Sequence, residues 1–168
     1  TIDSRRVCRY AKAQTDNPIA NEKTMWPDRR LIDLFGIEFP IVQAPMAGIM
    51  DTELVIGAAE GGALGSLPCA MLSPDKAREQ VGIIRQRVKA PVNMNFFAHR
   101  AVAADPQRDA QWRMRLASYY RECDLDPSAP TAPASRAPFD AAMCDVVEEV
   151  KPEVVSFHFG LPDKPLLD

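Results

Sequence analysis

His158 closes a short apolar run, VVSFHFG, and is one of only two histidines in the chain. An imidazole at the far end of a strand can hydrogen-bond an anion or move a proton. The plainer alternative is a core histidine satisfied by its neighbours, and the residues alone leave both open. His99, just beyond another apolar run, is the second candidate. Asn93 and Asn95 in PVNMNFF raise a related question, because positions 93, 95 and 97 of a strand share one side. Asparagine is depleted in strands and costly to bury unpaired. Two amides on one face therefore call for a polar partner, which is either a ligand or the protein's own backbone.

Two glycine-containing stretches could bring backbone close to a flat ligand. Gln43-Ala44-Pro45-Met46-Ala47-Gly48 forces a tight turn that leaves peptide groups accessible, although a plain strand-to-helix turn would look the same. Gly61-Gly62-Ala63-Leu64-Gly65-Ser66 has the small residues a cofactor would need, but the paired glycines also read as a helix end. No GxGxxG follows a strand, and no Walker loop, Ser/His/Asp order or paired catalytic carboxylates occur. Dinucleotide-fold dehydrogenases, NTPases and common hydrolases are thereby set aside. Cys8, Cys69, Cys123 and Cys144 form no CxxC and no zinc spacing, which fits reduced thiols in a cytoplasmic protein. The net charge of -3, without a basic block, argues against nucleic acid or an anionic membrane. No run approaches the roughly 18 apolar residues of a membrane span.

The elements that must position these residues alternate. Residues 40–46 (PIVQAPM) read as a first strand, with a helix from Thr52 whose apolar side is Leu54, Val55 and Ala58. ALGSLPC is a second strand. Ser73-Pro74 caps a helix with Ala77, Val81, Ile84 and Val88 on one face. Residues 91–97 are a third strand and residues 154–160 a fourth. Between them Trp112, Leu116, Tyr119 and Tyr120 share a helical face, and DPSAPTAPASRAP is a loop. A last helix begins near Pro138 with Phe139, Ala142, Met143, Val146, Val147 and Val150 inward. Strands alternating with helices predict a parallel α/β sheet, either half of an eight-unit barrel or a small open sheet. In both, ligands bind beyond the carboxyl ends of the strands. Residues 1–24 carry no hydrophobic period and are expected to be a flexible N-terminal extension.

The stretch FPIVQAPMAGIMDTELVIGAAEGGALGSLPCAMLSPDKAREQVGIIRQ, with PVNMNFF and VVSFHFGLP after it, resembles the nitronate monooxygenases, once called 2-nitropropane dioxygenases. The likeness runs from about Leu31 to Pro162, with the motifs in family order. It implies a TIM barrel, (β/α)8, that binds FMN and no metal, with about the first four strands in this chain. Residues 25–168 would be the N-terminal half of that barrel, and residues 98–137 an insert before the fourth strand. Met25 to Asp168 falls well short of the roughly 250 residues of a complete barrel. The family's main catalytic base and phosphate-gripping loops are accordingly expected outside this chain. Unpaired half-barrel edges would favour self-association.

The resemblance further implies that Ala44, Pro45 and Met46 lie along the FMN, that Asn95 contacts it and that Phe97 stands on its side of the site. His158 would line the substrate side, with a nitronate and O2 as reactants and a carbonyl compound and nitrite as products. A flavin-dependent NAD(P)H:quinone or enoyl-thioester reductase of the same barrel group is the alternative enzyme. A catalytically silent chain that associates with a full-length barrel is the alternative outside enzymology.

Overall fold

The computed structural model describes residues 26–100, 103, 105–129 and 136–167. The expected N-terminal extension and part of the proline-rich loop lie outside them. The first element among the described residues is helix α1 (Arg30–Phe35), followed by α2 (Thr52–Glu60), β1 (Gly65–Pro68) and α3 (Pro74–Arg87). Then come β2 (Val92–Phe97), α4 (Pro106–Arg115), α5 (Ala117–Glu122), α6 (Ala141–Val150), β3 (Val154–His158) and a 3₁₀ turn at Lys164–Leu166.

The strands form one parallel sheet in the order β1-β2-β3. Each step between neighbours is thus a strand–helix–strand unit, as the alternation predicts. The expected first strand is reduced to a single parallel bridge, Val42 to Leu64. Its hydrogen bonds run from Gln43 N to Leu64 O and from Leu64 N to Ile41 O, both at 2.9 Å. Proline at 40 and 45 limits how far such pairing can extend, because neither supplies an N–H.

The helix starts follow their caps. The Asp51 side chain accepts from Glu53 N at the start of α2, Ser73 from Lys76 N at α3, and Asp140 from Met143 N at α6. Each satisfies a donor that the first helical turn leaves free. The helix expected near Pro138 therefore begins at Ala141, behind Asp140. Pro138 itself bridges Phe97.

Ala77, Val81, Ile84 and Val88 are all buried, as their spacing predicts. On α2 Val55 is buried as expected, but its companions are Ile56 and Ala59, with Ala58 half-buried and Leu54 43% exposed. Leu54 sits on the flank because α2 turns its Val55 edge onto β1. There a Cβ added to Gly65 would stand 2.5 Å from Val55 O. Ala142 is likewise exposed on α6, where Met143 and Val146 face inward. Trp112, Leu116 and Tyr119 are exposed, and neither α4 nor α5 buries any residue. Their shared helical face covers nothing among the described residues.

On the helix side, Leu67, Val92, Met94 and Phe96 pack with Val55, Val81, Ile84 and Val146 into one apolar core. Phe96 and Phe139 meet edge to face at 4.7 Å. Burying such side chains contributes about 1.5–3 kcal/mol each. No helix among the described residues is long and apolar enough to cross a membrane.

Candidate functional site at the strand tips

The face of the sheet turned away from the helices is polar. Parallel register sets Ser66 beside Asn93, Asn95 beside Ser156 and Phe97 beside His158. Because successive strand residues alternate faces, all six project to the same side. Ser66, Asn93 and Asn95 are buried, at 0%, 3% and 2% exposure.

These groups are wired to one another. Asn93 Nδ2 donates to Ser66 Oγ and Ser156 Oγ, both at 3.0 Å. Asn95 Nδ2 donates to Ser156 Oγ at 2.8 Å and to the Ser156 carbonyl at 3.3 Å. A carbonyl can only accept, so the Asn95 amide nitrogen must face Ser156. Its Oδ1 then faces His158 Nδ1, 3.1 Å away. That oxygen also only accepts, so Nδ1 carries a hydrogen and a neutral His158 keeps its lone pair on Nε2. Ala98 N holds the His158 carbonyl at 2.8 Å, fixing the backbone beneath the ring.

Asn93 Oδ1 is the exception, a buried side-chain oxygen with no hydrogen-bond partner among the described residues. Turning the amide over would let the two hydroxyls donate to its oxygen, but would strand its nitrogen instead. One end of this amide is unpartnered in either orientation, an uncommon state that costs stability.

Above this layer, at the carboxyl ends of the strands, lies a cleft of about 590 Å³. Ala47, Phe97, His99, Arg136 and Phe159 line it, and most of its wall is apolar. Its size falls within the range of small-ligand pockets. Phe97 meets Phe159 edge to face at 4.9 Å, and His99 and His158 stand around Phe97 at 6.2 and 6.1 Å. Phe159 has φ 68°, a left-handed conformation. For a bulky residue this costs about 1–3 kcal/mol.

The expected site residues thus fall into two groups. Asn95, Phe97 and His158 come together at the tips of β2 and β3. Ala44, Pro45 and Met46 form the neighbouring turn, and reach the cleft through Ala47, the next residue. Met46 is 40% exposed, and its carbonyl accepts from Ile49 N and Met50 N. Gln43 ties this turn to the sheet by accepting from Ser66 N at 2.9 Å. Asn95 spends its amide on Ser156 and His158, so it serves this site first by orienting the imidazole.

Ser156, Arg136 and Phe159 also stand at this candidate site, although the sequence reading did not single them out, and so does Ser66, the last residue of the 61–66 stretch. Ser156 was accessible to it, lying two residues before His158 and hence on the same face. Arg136 follows a proline-rich loop, and nothing local signals that it returns to the cleft. The glycines of the 61–66 stretch are structural: Gly62 has φ 81°, and a Cβ there would meet Glu38 Cβ at 2.8 Å. Cys69, next to β1, is free and buried, and burial pushes its thiol up to about 12. No group of three or more metal-ligating side chains gathers among the described residues.

A sequence profile described as nitronate monooxygenase matches residues 28–168. A nitronate monooxygenase of Paraburkholderia phytofirmans is 37% identical over 140 residues, covering 83% of this chain and 38% of the relative. The crystal structure of a nitroalkane oxidase from Streptomyces ansochromogenes superposes with a TM-score of 0.62 at 28% identity, over 81% of this chain and 38% of that one. FabK from Thermotoga maritima shares the fold at a TM-score of 0.50 and 23% identity, over 78% and 30% of the two chains. The sheet order and these likenesses agree with part of a TIM barrel, and the chain spans about two fifths of the length of the relative it matches. With the profile running through nearly all of the described residues, the chain belongs to the nitronate monooxygenase family.

Proposed function

We propose that this chain supplies the strand-tip side of an oxidoreductase site that converts an alkyl nitronate and O2 to a carbonyl compound and nitrite, with FMN as cofactor. The observation that supports this reading best is the Asn95–His158 pair. With Nδ1 turned to Asn95 Oδ1, the pair leaves Nε2 as the ring nitrogen open to a ligand, next to Phe97 and Phe159 of the aromatic-lined cleft.

The residues present fit the flat ring of FMN. Ala44, Pro45 and Met46 form the turn that leads into Ala47, which lines the cleft, and Phe97 supplies an apolar contact at the neighbouring strand tip. The buried, half-unpartnered Asn93 amide shows that this face of the sheet has hydrogen-bonding capacity left over. Bound there, FMN would supply the electron acceptor and the site of reaction with O2. The protein's part is binding and orientation. His158 Nε2 accepts a proton when the ring is neutral, and donates to an anion once the ring is protonated. Asn95 keeps the ring from turning, and Ser156 keeps Asn95 from turning. Arg136 at the cleft adds a positive charge that favours an anionic substrate.

Purification in the presence of FMN tests the cofactor first. Flavin absorbance should remain with the protein after gel filtration, and Asn95→Ala should weaken that retention. Anaerobic propionate-3-nitronate should then bleach the bound flavin. His158→Ala should mainly raise KM, by roughly 10-fold or more, the scale of a charge-assisted contact to a bound anion. Bleaching by NADPH and not by the nitronate would transfer the proposal to the reductase reading. Absence of flavin uptake would leave the chain without the proposed chemistry.

A further inference from the structure

We infer that Phe159 determines which apolar tail the strand-tip cleft accepts, and that its left-handed backbone is the device holding its ring in place. The inference rests on the cleft being the substrate site, as proposed above, and identifies the group that shapes it. The ligand class is a planar anion bearing an apolar tail.

Phe159 has φ 68° and is followed by Gly160 at φ 117°, so the chain reverses sharply as it leaves β3. In the left-handed region a Cβ crowds the adjoining carbonyl oxygen, and glycine or asparagine is the usual occupant. Among the described residues no core packing covers Phe159, which is 70% exposed. The ring instead meets Phe97 at 4.9 Å, His158 at 6.0 Å and His99 at 6.4 Å, making one wall of the cleft.

A residue that is awkward for its backbone and adds little to the core is there for what its side chain does at the surface. Here that surface is the cleft wall adjoining His158. Arg136 lines the same cleft, which selects an anionic head over a cationic one. Phe159 presents an apolar ring to the same cleft, a surface suited to an alkyl tail.

The test uses n-alkanoates from acetate to octanoate, planar anions that mimic a nitronate but carry no oxidisable C=N bond. Calorimetric titration of the flavin-loaded wild type should show affinity rising over the first few carbons and falling for longer chains. Phe159→Gly should flatten this profile, changing the octanoate-to-butyrate ratio by roughly 10-fold, the scale of steric selection by a pocket wall. The same variant should melt roughly 2–4 °C higher, since glycine accepts positive φ without strain. Phe159→Leu, which keeps the Cβ and the strain, should show no such gain and an intermediate profile.

Parallel profiles for wild type and Phe159→Gly would overturn the inference, as would a lower melting temperature in Phe159→Gly or failure of every alkanoate to bind. The reaction reading can fail separately. If nitronates are not oxidised but the alkanoate profile still depends on residue 159, the wall stands and only the proposed chemistry falls.

Discussion

On the helix side of the sheet stand Leu67, Met94 and Phe96, at most 2% exposed, inside the apolar core. On the other side, at neighbouring positions of the same strands, stand Ser66, Asn93, Asn95, Ser156 and His158. The first set is held by packing, in which any side chain of suitable shape and size contributes. The second is held by directional bonds, in which each group fixes the next: Ser156 orients Asn95, and Asn95 orients His158. A fold in search of stability alone would not place two asparagines on a central strand. The two faces therefore answer separate demands, and substitutions on each should fail in different ways.

The largest effect is expected on the packed side. Phe96→Ala removes a ring fully enclosed between Phe139 and Phe157, and should cost about 3–5 kcal/mol in urea unfolding, with flavin affinity lost only as the fold is lost. On the polar side, Asn95→Ala should cost about 1–3 kcal/mol by stripping His158 Nδ1 and Ser156 of their partner. Its signature differs, because nitronate KM should rise under conditions where the variant remains folded. Equal losses of stability and binding in both variants would erase the distinction between the faces.

Cys69 sharpens the comparison through pH. Its folded thiol is pushed up to about 12 by burial, from an ordinary 9.0. Above pH 9 the unfolded chain therefore loses this proton while the folded chain keeps it, and stability falls as pH rises from about 9 toward about 12. Between pH 8 and pH 10 the loss should be about 1 kcal/mol, since each unit of separation is worth about 1.4 kcal/mol. Urea midpoints of wild type and Cys69→Ala across that interval should converge as pH rises. Curves that stay parallel would show that the burial of Cys69 is not felt in the native state.

The packed side was far more legible in the sequence than the polar side. Ala77, Val81, Ile84 and Val88 announce their face by spacing alone, and all four are buried. Ser73 marks a helix start through local side-chain chemistry, whereas the cap at Asp140 moves the last helix beyond the expected Pro138. Alternation also placed Asn93, Asn95 and Phe97 on one side and His158 at a tip. Two kinds of information were not local. The pairing register, which turns Asn95 and His158 into one unit, depends on residues 63 apart. The return of Arg136 to the cleft depends on a loop without periodicity. Residues 40–46 looked like a full strand because their apolar run satisfies composition, whereas two prolines restrict the pairing to one bridge. Trp112, Leu116 and Tyr119 show the converse, helical apolar residues that stay exposed among the described residues.

The smallest effect is expected at Asn93, although it is nearly as buried as Asn95. Removing its side chain forfeits two hydrogen bonds to serine hydroxyls but also removes Oδ1, an oxygen buried without a partner. These contributions oppose each other, and Asn93→Ala should change stability by less than about 1 kcal/mol in the flavin-free protein. If the spare end of this amide serves a bound group, the same substitution should lower FMN retention by more than it lowers stability. If it serves nothing, retention should follow stability alone. Comparing Asn93→Ala with Asn95→Ala in both measurements thus separates an amide that orients a neighbouring side chain from one that holds hydrogen-bonding capacity in reserve.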